Sequence, residues 1–172
     1  MHGSVERRKE MYISKNEAEG FSYEDSIITG LQIEDDGIYL LVEALVVEPQ
    51  NSQNTNFQRS YADTATITFA EGKVVNAVKE GFKRYDADDK LLEEIPDREM
   101  DRAQLDSLLA GLKGQYLYDL KAAGQENDTR NYVLGIEQAT DDLTGVDADS
   151  YQILIQCRDM TVSWERYMNR KV

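Results

Sequence analysis

Apolar residues recur at every second position in one segment after another, and this period constrains the fold more than any other feature. Ile27, Thr29, Leu31 and Ile33 alternate with Ile28, Gly30 and Gln32. Ala65, Ile67 and Phe69 alternate with Thr64, Thr66 and Thr68. Tyr132, Leu134 and Ile136 repeat the pattern, as do Tyr151, Ile153, Ile155 and Cys157. Successive side chains of a strand point to opposite faces, so each stretch has one face to bury and one to leave in water. Antiparallel sheets tolerate that division, whereas parallel sheets need cover on both faces.

The turn chemistry agrees. Asp35-Asp36-Gly37 supplies the Asp-Gly pair favoured in tight hairpins. The nearly continuous apolar run 38–47 then reads as a central strand. Ala70-Glu71-Gly72-Lys73 reads as the turn of a second hairpin, whose return strand over 74–85 has a natural break at Gly81. Asp86-Ala87-Asp88-Asp89-Lys90 is a further turn, with 91–95 pairing back as a short strand. The amide-rich stretch 50–58 reads as an exposed connection, and 16–20 as one helical turn stopped by Gly20.

Helical signals gather in one place. Asp101 is an N-cap with Gln104 three residues on, an approximate capping box. Leu105, Leu108, Leu109 and Leu112 then form a single stripe. Residues 116–120 fit either period and are read as a second short helix that Gly124 ends. The expected fold is α+β: one domain over residues 11–172, mainly an antiparallel sheet of about six strands. The sheet has room to curl into an open barrel, with one or two helices around 101–123. Residues 1–10 are polar and basic and read as a flexible N-terminal arm.

Charge narrows the partners. Nineteen Lys and Arg face 33 Asp and Glu, a net charge of −14. Residues 11–164 carry 13 of those cations and 30 of the acids, so the excess lies in the body of the chain. Such a surface repels phosphate backbones and anionic lipid headgroups, which argues against nucleic acid and membrane as partners. Cys157 is the only cysteine, so no intramolecular disulfide forms, which fits a reducing compartment. No apolar leader opens the chain, and its longest apolar run is too short to span a bilayer as a helix. A cytoplasmic location is the expectation.

Chemistry-bearing motifs are scarce. His2 is the only histidine and lies near the terminus, which disfavours Ser-His-Asp, Cys-His and histidine-zinc sites. No Walker loop, dinucleotide fingerprint or His-Glu-x-x-His helix is present, and no cofactor is implied. The turn at 86–90 departs from a calcium loop, with Lys90 at its fifth position and Leu91 at its sixth. Asp141, Asp142, Asp147 and Asp149 crowd carboxylates together and are the metal candidates, although a solvated acidic loop is the plainer account. Cys157 shares an apolar strand face with Ile153 and Ile155, which fits a buried, inert thiol.

Ten tyrosines, against four Phe, suit half-buried strands and binding surfaces alike. Residues 164–168 are the most interface-like, since Trp, Tyr, Arg and Met are enriched at interfaces. Trp164, Arg166 and Tyr167 are therefore the candidate partner-binding residues. The leading functional expectation is a non-enzymatic protein-interaction or regulatory module recognising a protein, a basic one on grounds of charge. The alternative is a small-molecule or lipid-binding domain with an apolar cavity between curled sheet and helix. A third is an enzyme using carboxylates and tyrosines, which needs inward-facing acids in a cleft.

Overall fold

The computed structural model describes residues 11–139 and 148–171. In chain order, β1 (Tyr12–Lys15) leads through a 3-10 turn (Ala18–Gly20) into β2 (Phe21–Ser22). Next come β3 (Ile27–Glu34), β4 (Gly37–Glu43), β5 (Val46–Val47), β6 (Ser60–Ala62), β7 (Ala65–Ala70) and β8 (Lys73–Lys79). The segments β9 (Phe82–Tyr85), β10 (Leu91–Ile95) and β11 (Arg98–Glu99) precede helix α1 (Arg102–Ala110). The last third supplies β12 (Tyr116–Glu126), β13 (Thr129–Ala139), β14 (Ala148–Cys157), β15 (Asp159–Trp164) and β16 (Tyr167–Arg170). The expected N-terminal arm, residues 1–10, lies outside the described residues.

Among the described residues the strands form antiparallel sheets around one core. The largest has ten strands in the order β1-β15-β7-β4-β3-β12-β13-β14-β8-β11. A four-stranded sheet runs β16-β6-β5-β2, and β9 with β10 makes a separate pair. The main sheet thus exceeds the six strands expected, and one reason is a hairpin that does not exist. β7 and β8 do not pair with each other. Ala70 faces Asp159 and Thr66 faces Ser163, while Lys73 faces Gln156 and Lys79 faces Tyr151. Two long strands, β7–β8 and β14–β15, therefore lie antiparallel and bend together at Glu71-Gly72 and Arg158.

At that bend Glu71 adopts φ 54, and its N–H donates to the Asp36 carbonyl. The Gly72 N–H donates to the Phe69 carbonyl, so the turn residues redirect the strand without reversing it. Bending folds the two halves of the sheet over one another, which buries the apolar face of each. Phe69 of β7 then meets Tyr132 of β13, their rings 6.0 Å apart. Leu40, Ile67, Leu134, Ile136, Ile153, Ile155 and Val162 join one continuous buried cluster. β3 and β12 are joined by the one ladder pair Ile27–Tyr116 and a few flanking backbone hydrogen bonds, and the end strands β1 and β11 do not pair with each other, so the sheet curls without closing into a barrel.

Three local readings also change. Residues 116–120 are strand, not a second helix, because a bulge between Leu117 and Asp119 shifts the register. That shift turns Leu117 and Leu120 inward together, and their three-residue spacing mimics a helical face. The run 38–47 is split, because Ala44 takes φ 60 and hands the chain from the large sheet to β5 of the smaller one. The stretch 50–58 is organised around two buried asparagines, Asn51 and Asn54, instead of being a plain exposed connection.

The β3–β4 hairpin forms as the sequence implies, with Glu34 facing Gly37. Gly37 serves close approach, since a methyl there would sit 2.7 Å from the Phe69 carbonyl oxygen. Helix α1 carries the full capping box: Asp101 accepts from the Gln104 N–H at 2.8 Å, and the Gln104 side chain accepts from the Asp101 N–H at 3.0 Å. Leu105 and Leu108 of the helix and Leu112 just past it are buried against the sheet. Each such side chain contributes about 2 kcal/mol of burial.

Candidate partner-binding surfaces

The C-terminal candidates converge on one corner but face different ways. Trp164 ends β15 with its side chain wholly inside, at 0% exposure. Its ring stacks on Tyr12 at 5.6 Å and meets Phe21 and Tyr167 edge-on at 5.8 and 5.9 Å. Tyr167 is half-buried and donates its hydroxyl to the Gln53 carbonyl, and burial pushes its pKa up to about 12. Arg166 is exposed, 3.9 Å from the Asp63 carboxylate. With Met168, Tyr61, Asp63 and Asn169 it lines an open cleft of about 520 Å³. Trp164 and Tyr167 thus fasten the small sheet to the core, and Arg166 is the one that faces solvent.

A clasp holds this corner. Lys171 Nζ lies 2.8 Å from Asp25 Oδ2, which also accepts the Tyr61 hydroxyl at 2.6 Å. These two donors draw the Asp25 carboxyl below its ordinary range, and the same Asp25 contact draws Lys171 above its own. The bridge strengthens the attachment of the C-terminal strand, although an exposed pair of this kind contributes little to global stability.

Of the metal candidates, Asp141, Asp142 and Asp147 lie outside the described residues. Asp149 sits in β14, 3.5 Å from Lys79 Nζ. Among the described residues no three His, Cys, Asp or Glu side chains are grouped to hold a metal ion. Cys157 is buried, and desolvation with the nearby Asp159 charge pushes its pKa up to about 11, so the thiolate nucleophile is suppressed.

The most unusual surface was not singled out from sequence. β8 and β11 continue past the edge of the large sheet as the pair β9–β10. Lys79 faces Arg98, then Phe82 faces Ile95, Lys83 faces Glu94, Arg84 faces Glu93 and Tyr85 faces Leu91. The result is a two-stranded ribbon in which every residue of β10 is exposed. Tyr85 is 55% exposed, Leu91 49%, Leu92 68% and Ile95 40%. Leu92 stands at a bulge in the ladder, between Leu91 and Glu93, and is the most exposed of the four. An isolated two-stranded hairpin is marginal in water, so the ribbon depends on its fastenings.

Those fastenings are specific. At the base, the Gly81 N–H donates to Asp97 at 2.7 Å. A methyl on Gly81 would collide with the Ile95 carbonyl and the Pro96 backbone. Glu80 accepts from the Tyr118 hydroxyl at 3.1 Å and the Gln152 amide at 2.7 Å, tying the base to β12 and β14. Burial and the Glu80 carboxylate push Tyr118 up to about 12, so its hydroxyl stays a donor. Along the ribbon, Lys83–Glu94 and Arg84–Glu93 each pair at 3.7 Å. At the tip, Asp86 Oδ1 accepts the N–H groups of Asp88 and Lys90, while Asp89 takes φ 60. The sequence held a clue: Leu91-Leu92-Glu93-Glu94-Ile95 lacks the clean alternation of a strand with one buried face.

No protein-family model, curated protein or solved structure matches the chain. Among the described residues no helix is long and apolar enough to cross a membrane.

Proposed function

We propose that this chain is a protein-interaction module that docks on a basic protein partner through the β9–β10 ribbon. The observation that carries the reading is the ribbon itself, which exposes Tyr85, Leu91, Leu92 and Ile95 within eleven residues of a built, fastened projection. Clustered exposed apolar side chains are costly in a free monomer and mark interaction sites. Against the alternative of an apolar ligand cavity between curled sheet and helix, the reading is supported by the burial there of Leu105, Leu108 and Leu112, and of Ile67, Phe69, Ile136 and Ile153 in the same core cluster.

Charge selects the partner. The chain carries −14, and three of its carboxylates, Asp86, Asp88 and Asp89, stand at the tip of the ribbon. A second copy pairing strand to strand across a two-fold would set Glu93 and Glu94 against themselves, or Lys83 and Arg84 against themselves, which destabilises a ladder. Pro96 interrupts the free edge running from β10 into β11, a device that blunts strand addition. The ribbon therefore presents faces, not an edge, and a basic surface with an apolar groove is its complement.

The test is crosslinking capture from the native host with the wild-type chain and with Leu92→Ser/Ile95→Ser. The expected outcome is an unchanged melting temperature and about 30-fold weaker retention of a basic protein, as loss of hot-spot side chains gives. Retention should also weaken as salt is raised. Equal capture by both chains would remove the ribbon from the interface. Failure of the wild type to retain any protein above background would overturn the module reading itself.

A further inference from the structure

We infer that the open cleft beside Arg166 receives a basic stretch of chain, and that its occupant is Arg7-Arg8-Lys9 of this same molecule, whose cations meet Glu43 and Asp63. The inference is independent of the ribbon, because it stands on other residues near the opposite end of the strand order.

Register brings the chain to that place. Tyr12 faces Trp164, Ser163 faces Thr66, and Ala65 faces Val42. Carried one step on, these ladders set Met11, Glu165, Thr64 and Glu43 in one row across β1, β15, β7 and β4. The Asp63 N–H donates to the Arg166 carbonyl, which continues the same ladder. Trp164, Ala65 and Val42 point into the core, so the row lies on the outer face, where Met11 is 51% exposed. The three cations stand two to four residues before Met11, a reach of about 7–14 Å. At about 4.8 Å per strand, Glu165, Thr64 and Glu43 lie about 5, 10 and 14 Å from Met11. The acids of the β3–β4 turn stand at the other end of β4, about 20 Å along the strand from Glu43 and out of reach.

The cleft, of about 520 Å³, supplies both halves of what a long cationic side chain needs. Tyr61 and Met168 offer apolar surface to an aliphatic stem, and Glu43 and Asp63 offer carboxylates to its head. Among the described residues Glu43 has no ion-pair partner. Asp63 accepts the Glu165 N–H at 3.2 Å and meets Arg166 at 3.9 Å, a long contact from a side chain that is 77% exposed. Two carboxylates against one cation leave the cleft negative, and three consecutive cations are its complement. Glu6 and Glu10 bound the basic run, which restricts the match to these three positions. A segment seated there competes with any basic protein for the same carboxylates.

The test compares amide spectra of the full chain as wild type and as Arg7→Glu/Arg8→Glu/Lys9→Glu. Beyond the neighbours of the altered sites, the expected difference is confined to residues 43–44, 61–64 and 166–169. It should be independent of protein concentration and fade at about 1 M salt, where screening acts within about 3 Å. A synthetic peptide of residues 1–10 should bind the reversed chain about tenfold more tightly than wild type, whose tethered copy competes at an effective concentration of about 1 mM. Adding Glu43→Lys to the reversed chain should abolish peptide binding with the melting temperature held within about 2 °C, since Glu43 is exposed. No change at those amides, equal peptide affinity in the two chains, or undiminished binding after Glu43→Lys would overturn the inference. A difference that grows with protein concentration would also overturn it, by giving the cleft to a second copy.

Discussion

Two antiparallel hairpins of this molecule have opposite fates. In β13–β14, Leu134 faces Ile153 and Tyr132 faces Ile155, and one side of the ladder is sealed by the opposite half of the sheet. In β9–β10, Phe82 faces Ile95 and Tyr85 faces Leu91, and among the described residues no second layer buries the pair: β10 is exposed throughout and Phe82 is only partly buried. Both rest on the same backbone hydrogen bonding. What separates them is a covering layer, and with it the burial free energy that makes a strand pair part of a cooperative fold. The first hairpin belongs to the stability of the domain, and the second depends on its tethers at Glu80, Gly81 and Asp97.

The largest effect should come from breaking the covered side. Phe69→Ala removes a wholly buried ring from the contact between the sheet halves and should cost about 3–5 kcal/mol in urea unfolding. A cost under about 1 kcal/mol would mean the two halves are not packed as described. Gly81→Ala should act on the other hairpin, because its methyl meets the backbone where the ribbon strands cross. Amide exchange over 82–95 should then accelerate more than about tenfold while 149–157 keeps its protection, the signature of local opening. Equal acceleration in both would make the ribbon part of the core unit.

Acid should weaken the covered region through Asp159. Its carboxylate accepts from Asn16 at 3.1 Å, and Lys15, Arg130 and Arg158 lie within 3.7–3.9 Å. The Asn16 hydrogen bond, with those cations, holds its pKa below the ordinary 3.8. A carboxyl depressed in the folded state contributes stability above its unfolded pKa and loses it as pH falls through the folded value. Melting temperature should therefore drop on acidification below about pH 4, more steeply in wild type than in Asp159→Asn. Identical acid limbs would exclude Asp159 from the effect. The smallest change should be Leu92→Ser, within about 0.5 kcal/mol in the same urea assay, because its side chain is mostly in water already. A larger loss would show that the ribbon has intramolecular cover.

What the sequence determined by itself was the short-range part. The period of two placed Ile153, Ile155, Leu134 and Ile67 in the core, because a strand assigns faces by parity. The capping box at Asp101 and Gln104, the turn at Asp86 and the break at Gly81 followed from side-chain reach and backbone sterics within a few residues. The tertiary structure decided everything that needed a distant partner. Glu71-Gly72 bends a strand instead of reversing it because β14–β15 lies alongside to pair with both arms. Leu117 and Leu120 face inward together because β13 imposes a bulge. Trp164 is turned into the core by Tyr12, Phe21 and Tyr167, so an interface-like composition became packing. The candidate site was the least legible part, because the exposure of Leu92 and Ile95 depends on which strands fail to cover them. Local sequence specifies which face a side chain takes, and only long-range pairing specifies whether another layer lies across that face.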